Sequence, residues 1–246
     1  MPEQESIHAI ELLQKKEQVP YQFNRIARRY DFVTFLSQGY LEDLNRSVQH
    51  MRLKGTEVLA DLCCGTGKST ICCLNALPHG RVIGVDNSTE MLQQAKRKYY
   101  SNYSREKLEF IQKDVMQLDF PENSLDAIFM AYGIRNMPDY DLCLQNLYKI
   151  LKPQGIICFH EYSLDNNLFS RLYWRFLGHA VIIPFSALVT GSTNIFRYLI
   201  KSVLNFLSPQ DFSDKISKAG FIDIEIYPQK SWRRPILRTF LARKPG

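Results

Sequence analysis

The stretch Val58-Leu-Ala-Asp-Leu-Cys-Cys-Gly-Thr-Gly67 narrows the possible folds more than any other part of the chain. Apolar and small residues around one acid read as a buried strand ending at Leu62. Gly65 and Gly67 then permit a tight turn that residues with a Cβ resist. Lys68 to Leu77 follows as a helix. A strand, a glycine turn and a helix N-terminus together aim backbone N–H groups at a ligand. A second strand, Arg81-Val-Ile-Gly-Val-Asp86, ends in a carboxylate 21 residues after Gly65. A spacing of about 20 residues lets an acid reach a ribose in dinucleotide-type folds. The expected ligand is therefore a nucleoside.

Three nucleosides compete. A dinucleotide fingerprint needs G-x-G-x-x-G, but Thr70 stands where the third glycine belongs and the strand carries Asp61. A phosphate-binding P-loop needs G-x-x-x-x-G-K-[ST]. Gly67-Lys68-Ser69 supplies its end, but Leu62 occupies the first glycine position, whose flexibility wraps the loop around phosphates. S-adenosylmethionine is the third. Its ammonium suits an acid at the strand end, where Asp61 stands, and it has no phosphate to cradle. Asp86, with Asn87 beside it, is expected at the ribose hydroxyls.

At 246 residues, 45% of them hydrophobic, the chain can bury a sizeable core as one large domain or two small ones. Its net charge of +6 is uneven. From Tyr227 to Gly246 there are six basic residues and no acid. Such a run suits a solvated strand edge, or a surface meeting anionic lipid or nucleic acid. Six cysteines, at 63, 64, 72, 73, 143 and 158, have neither disulfide-ladder nor zinc spacing. They read as small buried hydrophobes in a reducing compartment, and no metal is expected. Neither a signal peptide nor an apolar run of about 18 residues is visible. The expectation is a cytoplasmic protein, with contact at the inner membrane face left open.

From Glu57 onward strands and helices alternate. Strands are expected near 57–62, 81–86, 107–113, 126–132 and 155–160, and helices near 67–77, 88–100 and 139–151. That alternation argues for a parallel sheet covered on both faces, with ligands beyond the carboxyl ends of its strands. Asp61, Asp86, Asp114, Ala131-Tyr132-Gly133 and His160-Glu161 fall at those ends. Asp114 and Val115 are placed to meet an adenine. Met91 can lie against the base, and core packing explains it equally well.

Residues 1–54 read as a helical cap. It contains an amphipathic helix in 1–18, a helix through Phe23, Ile26, Ala27 and Tyr30, and another from Leu41 to Met51. Ser163 to Leu207 breaks the alternation with aromatic and aliphatic residues. Two or three helices over the sheet's carboxyl rim are expected there, as a lid for an apolar substrate or as a second core layer. Phe221–Tyr227 and Pro235–Arg243 read as an antiparallel edge pair.

Asp61-Leu-Cys-Cys-Gly-Thr-Gly67, Val85-Asp86, Asp114 and Leu151-Lys-Pro-Gln-Gly155 resemble class I S-adenosylmethionine-dependent methyltransferases. Tyr132-Gly-Ile-Arg-Asn136 resembles the Gly-hydrophobic-Arg-Asn segment of the UbiE-type ubiquinone/menaquinone C-methyltransferases. Ala27-Arg-Arg-Tyr-Asp31, Phe196-Arg-Tyr-Leu199 and Ala219-Gly-Phe221 are similar to other landmarks of that family. The resemblance implies one methyltransferase domain: a Rossmann-like α/β fold with seven strands in order 3-2-1-4-5-7-6, helices on both faces, the cap, and the lid after strand 5. It implies that Asp61, Gly65, Gly67, Thr70, Asp86, Asp114 and Val115 line S-adenosylmethionine; Asn87, Met91 and Ala131 are expected beside them from their places in the chain. Arg135, Asn136 and Tyr30 are implied near the acceptor. This chain departs from the family's pattern in Cys64, in Ala131 and in its close, Ser231 to Phe240.

The implied reaction is C-methylation of a prenylated quinol, with Arg135 stabilising a phenolate and Asn136 holding a hydroxyl. The implied partner is a hydrophobic small molecule, not nucleic acid, and the sequence leaves a homodimer open. Rival readings are methylation of another lipidic or aromatic metabolite, methylation of a nucleic acid, a nucleotide hydrolase and a non-catalytic lipid-binding protein.

Overall fold

The computed structural model describes residues 39–190 and 193–246. Tyr30 and the two helices expected before Phe35 lie outside those residues. Seven strands form one sheet: β1 (Val58–Leu62), β2 (Arg81–Asp86), β3 (Leu108–Gln112), β4 (Leu125–Ala131), β5 (Leu151–Tyr162), β6 (Ile222–Pro228) and β7 (Leu237–Arg243). Their order is β3-β2-β1-β4-β5-β7-β6, as the resemblance implies. The pairs β1–β2, β2–β3, β1–β4 and β4–β5 are parallel, and β7 runs antiparallel to both its neighbours. The continuous apolar runs of β1, β2 and β4 suit strands covered on both faces.

Around the sheet stand α1 (Tyr40–His50), α2 (Lys68–Asn75), α3 (Thr89–Tyr99), α4 (Tyr140–Ile150), α5 (Leu168–Leu177), α6 (Ile183–Thr190), α7 (Asn194–Leu204) and α8 (Pro209–Lys218). Four of them start where a short polar side chain takes the first free N–H groups. Ser88 accepts from Met91 N, Asp139 from Leu142 N, Asn167 from Ser170 N and Ser208 from Asp211 N. One face of the sheet packs Leu62, Val85, Ile128, Phe159 and Phe240 against Leu144 and Leu147 of α4 and Phe212 and Ile216 of α8. Phe212 meets Phe159 and Phe240 edge-on, with centroids 5.3 and 5.0 Å apart. Its truncation to alanine would cost about 3–5 kcal/mol. The other face packs Leu59, Val82, Phe129 and Cys158 against Leu44 and Val48 of α1, Cys72 and Cys73 of α2 and Leu92 of α3.

Two expectations need adjusting. Strand 5 starts at Leu151, earlier than its apolar run, because its register against β4 shifts between Leu125 and Ala127. The expected antiparallel edge pair forms, with β6 outermost and β7 between β5 and β6, all but its last residue buried. The basic C-terminal run is therefore not simply a surface. Arg233 and Arg238 are buried, beside Asp43 at 3.2 Å and Asp165 at 2.6 Å. The expected lid forms α5, a π-helical turn (Gly178–Ile182), α6 and α7. Gly178 is required where α7 crosses, since a Cβ there would stand 2.7 Å from Ile200.

Candidate active site

The glycine turn is built around two carboxylates. Asp61 is fully buried, and its Oδ2 accepts from Ser69 Oγ at 2.8 Å and Thr70 Oγ1 at 2.6 Å. Its Oδ1 finds no hydrogen-bond partner among the described residues. Burial pushes the carboxyl up to about 7, against the pull of the Thr70 and Ser69 hydroxyls. Asp86 Oδ2 accepts from Gly65 N and its Oδ1 from Ser88 N, both at 2.8 Å. Burial raises that carboxyl too.

Gly65 and Gly67 both lie at positive φ, +55° and +85°. Gly67 begins α2, and a Cβ on it would meet the Tyr99 ring at 2.9 Å. A Cβ on Gly65 would meet nothing within 4 Å, so this glycine keeps backbone exposed beside open space. Two carboxylates flank the start of α2, where a P-loop would hold phosphate. That electrostatics favours a cation. An ammonium at Asp61 Oδ1 would supply the missing partner and hold the carboxylate charged. The residues fit the amino-acid end of S-adenosylmethionine.

The remaining nucleoside candidates vary in setting. Asp114 accepts from Met116 N at 2.8 Å and is half-buried. Val115, Met91 and Ala131 are buried. Asn87 is exposed, and its carbonyl accepts from Gln112 Nε2 at 3.3 Å. Thr70 has its hydroxyl engaged by Asp61, so it orients that carboxylate.

The acceptor-side residues collect at the ends of β4 and β5. Ala131 pairs with His160, which places the residues after β4 beside Glu161. Tyr132 turns the chain at φ 56° and donates its N–H to His160 O at 2.8 Å. Arg135, 6% exposed, donates from Nη1 to Glu161 Oε1 at 2.5 Å and to Tyr132 O at 2.9 Å. Ser202 Oγ of α7 lies 3.4 Å from its Nε. Glu161 is fully buried, and its Oε2 has no partner among the described residues. Burial raises the Glu161 carboxyl, and Arg135 opposes that rise. Asn136 Nδ2 donates to Tyr132 O at 3.2 Å, and its Oδ1 accepts from Tyr198 OH at 3.0 Å. Burial holds the Tyr140 and Tyr198 phenols up to about 12, so both stay neutral donors.

The two halves of the site adjoin. A Cβ on Gly133 would stand 2.8 Å from Cys63 Sγ, so this glycine lets the turn before Gly65 pack against the Tyr132–Asn136 segment. Behind them runs a buried polar chain that the sequence did not reveal. Tyr132 OH meets His160 Nε2 at 2.9 Å, and His160 Nδ1 meets Ser47 Oγ at 2.7 Å. Ser47 Oγ meets Thr239 Oγ1 at 2.6 Å, which takes Gln229 Nε2 at 2.7 Å. Burial, with Arg233 and Arg46 nearby, lowers His160 to about 3. A neutral imidazole thus anchors the Tyr132 ring, which also stacks on Tyr40 at 5.7 Å.

The sequence placed Arg135, Asn136 and Glu161 at strand ends without linking Arg135 to Glu161. Adjacent parallel strands with an Arg segment after one and an acid ending the other would have signalled that pair. The six cysteines are free thiols. Among the described residues no group of three or more His, Cys, Asp or Glu is placed to hold a metal ion.

Comparison with known proteins agrees with this geometry. The demethylmenaquinone methyltransferase of Staphylococcus aureus strain JH9 is 32% identical over 216 residues, covering 86% of this chain and 88% of the relative. The crystal structure of the cyclase SpnF superposes with a TM-score of 0.71 at 14% identity, covering 94% of this chain and 96% of its own. A Haemonchus contortus phosphoethanolamine N-methyltransferase 2, in complex with S-adenosylhomocysteine, superposes with a TM-score of 0.60 at 17% identity over 82% of this chain and 53% of its own. These two likenesses concern the fold. The ubiE/COQ5 methyltransferase family model matches residues 12–231, which takes in the glycine turn, the Arg135–Asn136 segment and the lid: the chain belongs to that family, and is a methyltransferase.

Proposed function

We propose that this protein transfers the methyl group of S-adenosylmethionine to a ring carbon of a prenylated quinol of the menaquinone or ubiquinone type. The observation that carries the reading is the buried Asp61 carboxylate, left with one unpartnered oxygen beside the open Gly65 backbone. A cationic amino acid end completes it, and a triphosphate does not. Family membership and the demethylmenaquinone methyltransferase relative support the quinol.

Bound S-adenosylmethionine supplies an electrophilic methyl group on a sulfonium, open to in-line displacement. This chain's residues must orient the two reactants and raise the acceptor's nucleophilicity. Asp61 would hold the ammonium, and Asp86 would hold the ribose hydroxyls. Asp114, Val115 and Met91 serve the base. A quinol carbon becomes nucleophilic when a ring hydroxyl loses its proton. The proton passes to Glu161 Oε2, directly or through a water. Arg135 then exchanges one anionic partner for another, the neutralised Glu161 for the phenolate, so the number of charges in the site is unchanged. As the ring carbon gains the methyl group and the S–CH3 bond breaks, the ring is left as a ketone with a hydrogen still on that carbon. That hydrogen leaves as a proton to solvent, and the ring oxygen takes back the proton from Glu161, which restores the quinol and the carboxylate. Asn136 and Tyr198 hold the acceptor's oxygen, and Tyr30 serves the acceptor as the family resemblance implies. Free thiols support work in a reducing compartment, the cytoplasm.

Thermal shift with S-adenosylhomocysteine and with ATP–magnesium tests the ligand. A rise with the first alone is expected. A rise with ATP alone would turn the reading towards a nucleotide hydrolase.

A further inference from the structure

The structure assigns the outer face of α5, with the Trp232 loop beside it, to docking on an anionic bilayer. Leu168 and Phe169 are 72% and 69% exposed, and Phe176 is 69% exposed. Leu172 on the same helix and Trp232 on the loop beside it extend this apolar surface. The opposite side of α5 is conventional: Trp174 is fully buried and donates Nε1–H to Ile200 O at 3.1 Å. The helix therefore has a core side and an apolar outer side, where polar residues belong. Contiguous exposed apolar surface of this kind marks a binding face.

Charge decides the occupant. Arg171 and Arg175 stand exposed among the exposed leucines and phenylalanines of α5. No Asp or Glu occurs between Asp165 and Asp211, and none follows Tyr227. Asp165 itself is held by Arg238. A second copy packed by two-fold symmetry would bring these arginines against each other in a dry interface, where neither of those two stretches offers an acid to receive them. Anionic headgroups receive them, and the adjacent aromatic rings suit the headgroup boundary. Tyr173 ties the loop to the helix, donating its hydroxyl to Trp232 O at 3.0 Å. Asp165, Phe169, Tyr173, Trp232, Arg234 and Pro235 line an open groove of about 700 Å³ at this seam. Among the described residues no helix is long and apolar enough to cross a membrane, so the contact is peripheral.

The face lies close behind the site. Trp174 meets the Tyr162 ring at 5.0 Å, and Tyr162 meets Tyr132 at 5.2 Å. The inference deepens the quinol reading and rests on it for its purpose: a prenylated acceptor could stay in the lipid while its ring enters between lid and sheet.

Vesicle sedimentation of the full chain tests it. Vesicles of phosphatidylcholine with about 30% phosphatidylglycerol should bind at least about tenfold more protein than phosphatidylcholine alone, with the excess lost in high salt. Arg171→Glu with Arg175→Glu, and separately Phe169→Ser with Phe176→Ser, should each weaken anionic binding at least about tenfold. Both variants should keep the wild-type thermal shift with S-adenosylhomocysteine and the wild-type turnover of a short-chain, water-soluble quinol. Equal vesicle binding by the charge-reversed variant would overturn the assignment. So would a dimer in solution that Phe169→Ser with Phe176→Ser splits, because the face would then belong to a second copy. Wild-type protein that binds vesicles yet never methylates the soluble quinol would sink the acceptor reading and leave the docking face standing.

Discussion

Arg135 and Glu161 meet at 2.5 Å across the ends of two adjacent parallel strands, and neither has appreciable contact with solvent. Burial works against both charges, and each makes the other tolerable. Such a pair is weak ground for stability, because an apolar pair of similar volume does as well. Its retention in a cleft beside a cofactor-binding turn points to chemistry.

Arg135→Ala should therefore cut turnover about a hundredfold or more while leaving cofactor affinity near normal. Because it strands Glu161, it should also lower stability by about 3–5 kcal/mol. Arg135→Met combined with Glu161→Leu separates the two effects: it should refold to near wild-type stability and stay inactive. Titration calorimetry with S-adenosylhomocysteine and urea denaturation check the pair of variants.

Asp61 makes cofactor binding depend on pH. Its carboxyl is held at about 7 in the fold, against an ordinary 3.8. A raised acid contributes stability that is present below 3.8 and lost as pH rises through about 7. The carboxylate form that grips an ammonium gains over the same upper range. Affinity for S-adenosylmethionine should thus rise about fivefold or more between pH 6 and pH 7.5. Asp61→Asn should bind weakly at both values, with that rise gone.

His160 acts in the opposite sense. Its pKa is lowered from 6.5 to about 3, so protonation is resisted by the fold. Its contribution is complete above 6.5 and lost as pH falls towards 3. Between pH 7 and pH 5 wild type should lose about 2 kcal/mol more than His160→Gln, measured by urea denaturation. The turnover profile should show no imidazole ionisation from this residue between pH 5 and pH 9.

The two glycines of the turn should fail differently. Gly67→Ala forces a Cβ into the Tyr99 ring and should destabilise the empty protein beyond the left-handed strain of roughly 1–2 kcal/mol. Gly65→Ala meets no atom and should cost only that strain, yet its methyl projects into open space beside the proposed ligand. Its melting temperature should fall by only a few degrees, less than that of Gly67→Ala, while the thermal shift with S-adenosylhomocysteine disappears.

Much of this architecture was legible because local signals agreed. The apolar runs of β1, β2 and β4 and the caps Ser88 and Asp139 mark elements without tertiary information. The carboxylates of the turn were legible from their place at strand ends. Long-range partners were not. Nothing local to Ser47 announces its contact with His160, 113 residues away, or with Thr239, 192 away. The basic tail misled for the same reason: Arg233 and Arg238 lie in the interior because Asp43 and Asp165, distant in sequence, receive them. The interior place of β7 was legible only through the family resemblance, which implies the order 5-7-6; strand periodicity alone does not encode it.

The most direct measurement follows a labelled methyl group from S-adenosylmethionine into a reduced, short-chain demethylmenaquinone, with wild type and Arg135→Ala side by side. Label on a ring carbon of the quinol with wild type, reduced at least about a hundredfold in the variant, is the expected result. Label that never reaches the quinol, or reaches it equally in both proteins, would contradict the account.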